Sequence, residues 1–255
     1  MNIAIIFAGG KGTRMGAEIP KQFLEINGKP ILVHTLELFQ YHKMIDKIYI
    51  STLKDYIPYV NKLIDIYKLS KVEAVIEGGE TAQDSIYKGL KKAQEGNPED
   101  SIVLLHDGVR PFVSVDVITE NIESTKKYGS AITVLPAYET VVTSEDGKEV
   151  DTVTNRNKTY TAQAPQSFYL KEIVEAHEEI QRRPQKYENM VDACTIFKEL
   201  GKKVYLVRGN RGNIKITTPE DVYTFKAYLQ FKENEQTFGF GMTNKIGAQF
   251  ELIEK

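Results

Sequence analysis

Residues 2–16 read NIAIIFAGGKGTRMG, an apolar run that stops in a glycine-rich stretch carrying Lys11 and Arg14. The run 2–8 lacks polar alternation, the pattern of a strand buried on both faces by helices in a parallel sheet. A strand that empties into glycines puts the turn at the carboxyl edge of such a sheet, where open α/β folds bind ligands. Glycines there let backbone N–H groups approach phosphate oxygens, and Arg14 and Lys21, the latter in Pro20-Lys21-Gln22, add fixed positive charge. The stretch is not a P-loop, because no Gly-Lys-Ser/Thr follows. It is not the dinucleotide fingerprint either, because Met15 stands where the third small residue belongs. A Gly-rich turn alone is an ordinary strand ending; the two cations within and just after it mark a polyphosphate site.

Outward from this strand the chain alternates short β-branched runs with amphipathic segments. Strands are predicted at 46–51, 72–77, 102–106, 130–136 and 203–208. Helices are predicted near 30–42, 55–68, 81–95, 115–128, 170–181 and 189–200. A last helix starts at Thr218-Pro219-Glu220-Asp221, with a cap, Pro at the first position and acids in the first turn. The expectation is an α/β fold, a mostly parallel, doubly wound sheet with helices on both faces. The rhythm breaks at 137–162, a β-prone, charged segment with Glu145-Asp146-Gly147-Lys148 as a hairpin turn, read as an arm. One domain is placed at 1–231 with this arm inside it, and 232–255 is read as a tail without clear period.

Composition narrows the function classes. Of 255 residues, 41% are hydrophobic and 27% charged, enough to bury a sizeable core. Lys and Arg number 33 against 35 acids, a net charge of −2, so no global basic field holds nucleic acid or an anionic membrane. The single Cys194 cannot form an internal disulfide, and His34, His42, His106 and His177 show no zinc-type spacing. Cytoplasmic location is expected, with neither signal peptide nor anchor in the first run, which has no basic region and is too short to span a bilayer. Cys194 falls on an apolar helix face and reads as a small buried hydrophobe rather than a nucleophile. His106 reads as a structural partner of the loop at Asp107.

Six blocks in order carry a resemblance: AGGKGTRMG with PKQF, GGETAQDSI at 78–86, HDGVRPF at 106–112, PAYET at 136–140, TNRNKTYTAQAPQSF at 154–168 and NIKITTPED at 213–221. Over about residues 1–231 the chain resembles the bacterial cytidylyltransferases that act on polyol phosphates, those for methylerythritol phosphate and those for ribitol phosphate. The resemblance implies a Rossmann-like nucleotidyltransferase sheet, a β-arm for dimerisation, and Mg²⁺ as cofactor. It implies the substrates CTP and a polyol phosphate, ribitol 5-phosphate being favoured by PKQFLEINGKPILVHT, HDGVRPF and VDAC, with 2-C-methyl-D-erythritol 4-phosphate as the alternative.

Carried onto this sequence, the resemblance has Ala8, Gly9, Gly10, Gly12 and Thr13 around the nucleotide phosphates, and Arg14 and Lys21 stabilising their charge. It has Gly78, Gly79, Glu80 and Ser85 at the cytosine; a helix opening capped by Thr81 is the plain reading of the same segment. Asp107, at a strand end, suits a hard Mg²⁺ bridging phosphate oxygens. Arg110, Thr140, Arg156 and Lys215 would serve the acceptor, Arg156 and Lys215 holding it for attack. Three positions depart from the pattern: Ala82 where many relatives carry Arg, Ala164 where Thr is usual, and Gly212 where some methylerythritol-type relatives have an Asp near the metal.

Two rivals remain. Hexose-1-phosphate nucleotidylyltransferases share a G-x-G-T-R opening, but their Pro-Lys pair stands further from the Arg than the seven-position separation of Arg14 and Lys21. A catalytically silent nucleotide-binding module is suggested only by Ala82 and Ala164.

Overall fold

The first strand, β1 (Asn2–Ala8), sends Ile3 and Ile5 into one hydrophobic cluster and Ala4, Ile6 and Ala8 into another. Successive side chains of a strand point to opposite faces, so a strand apolar in both phases needs cover on both sides. The computed structural model, which describes residues 1–10, 19–188 and 190–238, supplies that cover. A short ribbon, β2 (Glu25–Ile26) and β3 (Lys29–Pro30), leads into α1 (Ile31–Gln40). Then come β4 (Lys47–Thr52), α2 (Ile57–Tyr67), β5 (Val72–Glu77), α3 (Ala82–Gln94), β6 (Ile102–Asp107), α4 (Val115–Tyr128) and β7 (Ser130–Pro136). The second half holds β8 (Val142–Thr143), β9 (Thr152–Val153), β10 (Tyr160–Tyr169), α5 (Leu170–Arg182), α6 (Ala193–Glu199), β11 (Leu206–Arg208) and α7 (Pro219–Phe238).

Seven strands form the main sheet in the order β11-β7-β10-β6-β1-β4-β5. Among the described strands of this sheet, β10 alone runs antiparallel to its neighbours. On one face α1, α2 and α4 bury Leu32, Leu36, Phe39, Val60, Ile118 and Ile122 against the sheet. On the other, α3, α5 and α6 bury Ile86, Leu90, Ile173, Ile180, Ile196 and Phe197. Each such side chain contributes about 1.5–3 kcal/mol of burial free energy. A third cluster of Ile26, Ile31, Val109, Ile216 and Phe225 ties the ribbon and α1 to the loop after β6 and to α7.

The parallel strands end together. Ala8 lies opposite Thr52, Phe7 opposite Asp107, and Thr52 opposite Glu77. Gly9, Leu53, Gly78 and Gly108 therefore leave the sheet along one rim. Among the described residues, no helix is long and apolar enough to cross a membrane.

Four boundaries differ from the sequence reading. The arm spans 137–159, because Tyr160 already starts β10, a ten-residue strand wedged between β6 and β7. Pro165 argues against a central strand, and it is tolerated here inside a register irregularity between Ala162 and Gln166. The helix α6 starts only at Ala193, since the Asp192 carboxylate accepts the Thr195 N–H at 3.1 Å and caps it. The strand β11 is confined to Leu206–Arg208, the part paired with β7. The helix α7 passes the expected boundary at 231 and runs to Phe238, through residues such as Lys232, Glu233, Glu235 and Gln236 that favour helix without needing an apolar stripe. Within the arm, β8 and β9 pair Val142 with Val153 and Thr143 with Thr152, and the expected turn closes them with Gly147 at φ +71°.

Candidate active site

The glycine turn is held from beneath. The Gln22 side chain, buried on the 3-10 turn Lys21–Phe23, donates to Ala8 O at 2.6 Å and to Gly10 O at 3.1 Å, pinning both ends of the described part of the turn. Its neighbour Lys21 is itself only 9% exposed and lines the larger cavity on this rim. Gly12, Thr13 and Arg14 lie outside the described residues.

On the other side of the rim, α3 opens with a capping box. Thr81 Oγ1 accepts the Asp84 N–H at 3.1 Å, and the Asp84 carboxylate accepts the Thr81 N–H at 3.1 Å. Ser85 donates its hydroxyl proton to Thr81 O at 3.0 Å and accepts the Gly79 N–H at 2.9 Å. Its single proton is thus used in shaping the Gly78–Gly79 turn. A methyl group on Gly79 would overlap the Asp84 side chain, which makes glycine a steric requirement there.

Asp107, 7% exposed at the end of β6, has a cation on each carboxylate oxygen. Lys215 Nζ stands 2.6 Å from Oδ1, and Arg110 Nε 2.8 Å from Oδ2. Burial pushes the Asp107 pKa up, but the charges and hydrogen bonds of Lys215 and Arg110 outweigh it and bring the carboxyl down to about 2. The carboxylate is therefore ionised at any working pH. The Lys215 segment is tied to the same loop: Ile216 N donates to Val109 O at 3.0 Å, and Arg110 Nη1 donates to Asn213 O at 2.9 Å. His106 is fully buried, with Nε2 3.1 Å from Arg110 O, and burial lowers its pKa to about 4. A neutral ring facing a carbonyl must donate, so His106 braces the Asp107–Arg110 turn, as its position in the sequence suggested.

Two cavities meet at this carboxylate. The larger, about 610 Å³, is lined by Gly9, Gly10, Lys21, Gly79, Glu80 and Ser85 among others. The smaller, about 180 Å³, is walled by Arg110, Ala162, Gln163, Ala164, Val191 and Asp192 among others. Phe7, Ala82, Asp107 and Lys215 belong to both. The structure thus brings together Ala8, Gly9, Gly10, Lys21, Gly79, Glu80, Ser85, Asp107, Arg110 and Lys215.

Thr140 and Arg156 are exposed on the arm, and neither lines the two cavities as formed by the described residues. Two of the departing residues, Ala82 and Ala164, sit on the wall of the smaller cavity. The third, Gly212, lies against the Tyr228 ring, which any Cβ at 212 would overlap. Cys194 is half-buried, its thiol pushed up to about 12 by burial, so no thiolate nucleophile is present.

Gln22 and Asn213 were missed as site-building residues. Gln22 was legible as the third residue of Pro-Lys-Gln beside the phosphate turn. Asn213 opens NIKITTPED, and spacing alone carried no sign of its contacts.

The described residues gather no group of three or more His, Cys, Asp or Glu that could hold a metal by themselves. Asp107 offers one ionised carboxylate, each oxygen keeping a lone pair beyond its present partner. That fits Mg²⁺ only where substrate phosphates and water complete its shell.

Similarity to known proteins gives the chain its family. Residues 2–231 match the family described as IspD: 2-C-methyl-D-erythritol 4-phosphate cytidylyltransferase. A ribitol-5-phosphate cytidylyltransferase of Streptococcus agalactiae serotype V is 44% identical over 240 residues, covering 94% of this chain and 99% of that one. A 2-C-methyl-D-erythritol 4-phosphate cytidylyltransferase of Clostridium botulinum (strain Okra / Type B1) is 42% identical, covering 90% and 97%. The crystal structure of 4-diphosphocytidyl-2C-methyl-D-erythritol synthase from Anaerococcus prevotii superposes with a TM-score of 0.78 at 32% identity, covering 90% and 96%. With a nucleotidyltransferase sheet, a cation-ringed carboxylate on its rim and a family match that spans the whole sheet, the chain belongs to the IspD family of cytidylyltransferases.

Proposed function

We propose that this enzyme transfers CMP from CTP to ribitol 5-phosphate, releasing pyrophosphate and forming a CDP-polyol. One observation carries the reading: a cavity bounded by the glycine turn and Lys21 shares a wall with a second, smaller cavity, and the shared wall is Asp107 with Lys215. In this reading the triphosphate occupies the larger space and the polyol phosphate the smaller. The acceptor oxygen and the α-phosphorus then meet between the two cations, Lys21 and Lys215.

No general base is needed. A phosphate monoester has its second pKa near 6, so its oxygen attacks already deprotonated. The P–O bond to pyrophosphate breaks as the new one forms, and the leaving group carries away the electron pair. Negative charge builds on the phosphoryl oxygens and on pyrophosphate, where positioned cations supply most of the rate enhancement. Lys21 serves the triphosphate side, Lys215 the junction, and Arg110 the acceptor side. Arg14 joins Lys21 in this proposal by the motif it stands in. Mg²⁺, held by Asp107 and the triphosphate, would supply further charge neutralisation.

Homodimerisation through the arm, with Thr140 and Arg156 reaching a neighbouring copy's acceptor cavity, belongs to the same proposal. Exposed valines at 142 and 153, paired on a two-strand ladder, and at 150 in the loop between the strands support it. A second acceptor, 2-C-methyl-D-erythritol 4-phosphate, is favoured by the apolar side chains of Phe7, Ile86 and Leu105 in the smaller cavity, which suit a branch methyl. The test is pyrophosphate release from CTP with each acceptor in parallel. Higher kcat/KM with ribitol 5-phosphate is expected; higher kcat/KM with the methylerythritol phosphate would reassign the acceptor, and no release with either would overturn the reading.

A further inference from the structure

Asn213 is fully buried and lines neither cavity, yet it touches three parts of the acceptor wall. Its Nδ2 donates to Ala164 O at 2.6 Å and to Gln163 Oε1 at 3.3 Å. Its backbone carbonyl accepts from Arg110 Nη1 at 2.9 Å. Two residues further on, Lys215 reaches Asp107. We propose that Asn213 is a positioning residue for the acceptor, setting Gln163 and Ala164 of β10 in register with Arg110 and Lys215. The proposal rests on the smaller cavity being the acceptor site.

The amide has one workable orientation. Turned over, it would set its oxygen against Ala164 O and Gln163 Oε1, acceptor against acceptor. In the orientation present, Oδ1 is buried and finds no partner among the described residues. An unpaired buried carbonyl opposes folding, so a residue kept there at that cost is tied to what its NH₂ does. Residues 163–165 sit in the register irregularity of β10, where the ladder to β7 is interrupted and Pro165 has no N–H to give. The Asn213 amide replaces a ladder bond at that point and fixes the height of Ala164 on the wall.

The rest of the segment is clamped from its other side. Asn213 N donates to Asn210 O at 3.0 Å. Asn210 Nδ2 donates to Phe112 O at 2.7 Å, and Asn210 Oδ1 accepts from Ser114 N at 3.1 Å. With its backbone held this way, loss of the Asn213 side chain frees β10 rather than the Lys215 loop. The two sides of the acceptor wall then lose register while the glycine turn and Gln22 stay as they are.

Steady-state kinetics of Asn213→Ala with CTP and ribitol 5-phosphate tests this. The acceptor KM should rise and kcat should fall, together about ten- to hundredfold in kcat/KM, the scale of a small misplacement of reacting groups. The KM for CTP should stay within about twofold, since none of the nucleotide-side contacts is touched. A folded variant with both KM values unchanged, or with both raised alike, overturns the proposal. Should Asn213→Ala not fold, Asn213→Ser, which keeps a donor but not its reach to Ala164, must show the same acceptor-only loss, and an even loss overturns it. Wild-type protein inactive with both candidate acceptors would instead overturn the functional reading, so the two failures are told apart.

Discussion

The rim of the sheet and the arm both carry residues that bind phosphate in the proposed reaction, and they fix them in opposite ways. On the rim, Asp107 is gripped by two cations, His106 braces its turn, and Gln22 clasps the glycine turn. Four parallel strands end together there, so charge is set by the core beneath it. On the arm, Thr140 and Arg156 are exposed, and the ladder beside them is two residue pairs long, Val142 with Val153 and Thr143 with Thr152. Preorganised charge stabilises a transition state without reorganising at the moment of reaction. An exposed side chain on a solvated arm must be ordered by something else first, and in the proposed reaction a second copy of the chain would do this.

The largest effect should come from breaking the rim. Lys21→Ala is expected to lower kcat by about 10²–10³-fold, the usual cost of one preorganised charge stabiliser. Circular dichroism should show the fold intact and pyrophosphate release should show the loss. Near wild-type turnover in a folded variant would put the catalytic charge elsewhere.

Next comes the carboxylate. Asp107→Asn leaves Lys215 and Arg110 facing a neutral amide and removes the one rim carboxylate proposed for Mg²⁺. The Mg²⁺ concentration for half-maximal turnover should rise about 10–100-fold, and EDTA should abolish activity of the wild type. Turnover that ignores EDTA would refute the metal assignment.

Acid tests the packed body of the protein, on which the rim rests and the arm does not. His177 is fully buried with Nδ1 2.7 Å from the Tyr187 hydroxyl, and burial lowers its pKa to about 3. Below the free imidazole value near 6.5 the unfolded chain takes up a proton that the folded chain refuses. The stabilisation is therefore whole above pH 6.5 and is lost as pH falls toward about 3, amounting to about 2 kcal/mol by pH 5. A His177→Phe variant should show a flatter Tm between pH 6.5 and 4 than the wild type. An identical slope would mean that His177 is protonated in the fold.

How much of this was legible follows from the physics of each segment. The strands β1, β4, β5, β6 and β7 could be read because each is a short β-branched run, and β1 and β6, buried on both faces, show it without alternation. The cap of α3 and the Pro start of α7 were local signals and were found. The strand β10 was hidden because Pro165 and the polar run Thr161–Gln163 look like loop, and only pairing with β6 and β7 makes them strand. The phosphate turn and Lys21 were visible as residue types in sequence order. The Arg110–Asp107–Lys215 arrangement was not, because it joins positions 108 apart whose meeting depends on the Val109–Ile216 contact. Asn213 escaped for the same reason.

The smallest expected effect is the one that decides whether the arm completes the site. Thr140→Ala should raise the acceptor KM about three- to tenfold, the worth of one hydrogen bond, and Arg156→Ala somewhat more, with CTP affinity unchanged. Equal loss of CTP affinity would move these residues to the nucleotide side. Kinetics on one variant cannot say whose site the arm serves, but subunit exchange can. When Arg156→Ala is mixed with Lys21→Ala, a dimer holding one of each has two composite sites. If each arm serves its neighbour, one site of the mixed dimer combines the intact Lys21 of one subunit with the intact Arg156 of the other, and at acceptor concentrations below the KM turnover of an equal, fully exchanged mixture returns toward about a quarter of the wild type, half of the dimers being mixed. If each arm folds onto its own chain, every site in the mixture lacks one residue and turnover stays low. A protein that sediments as a fully active monomer would remove the composite site altogether and leave the arm with no part in binding the acceptor.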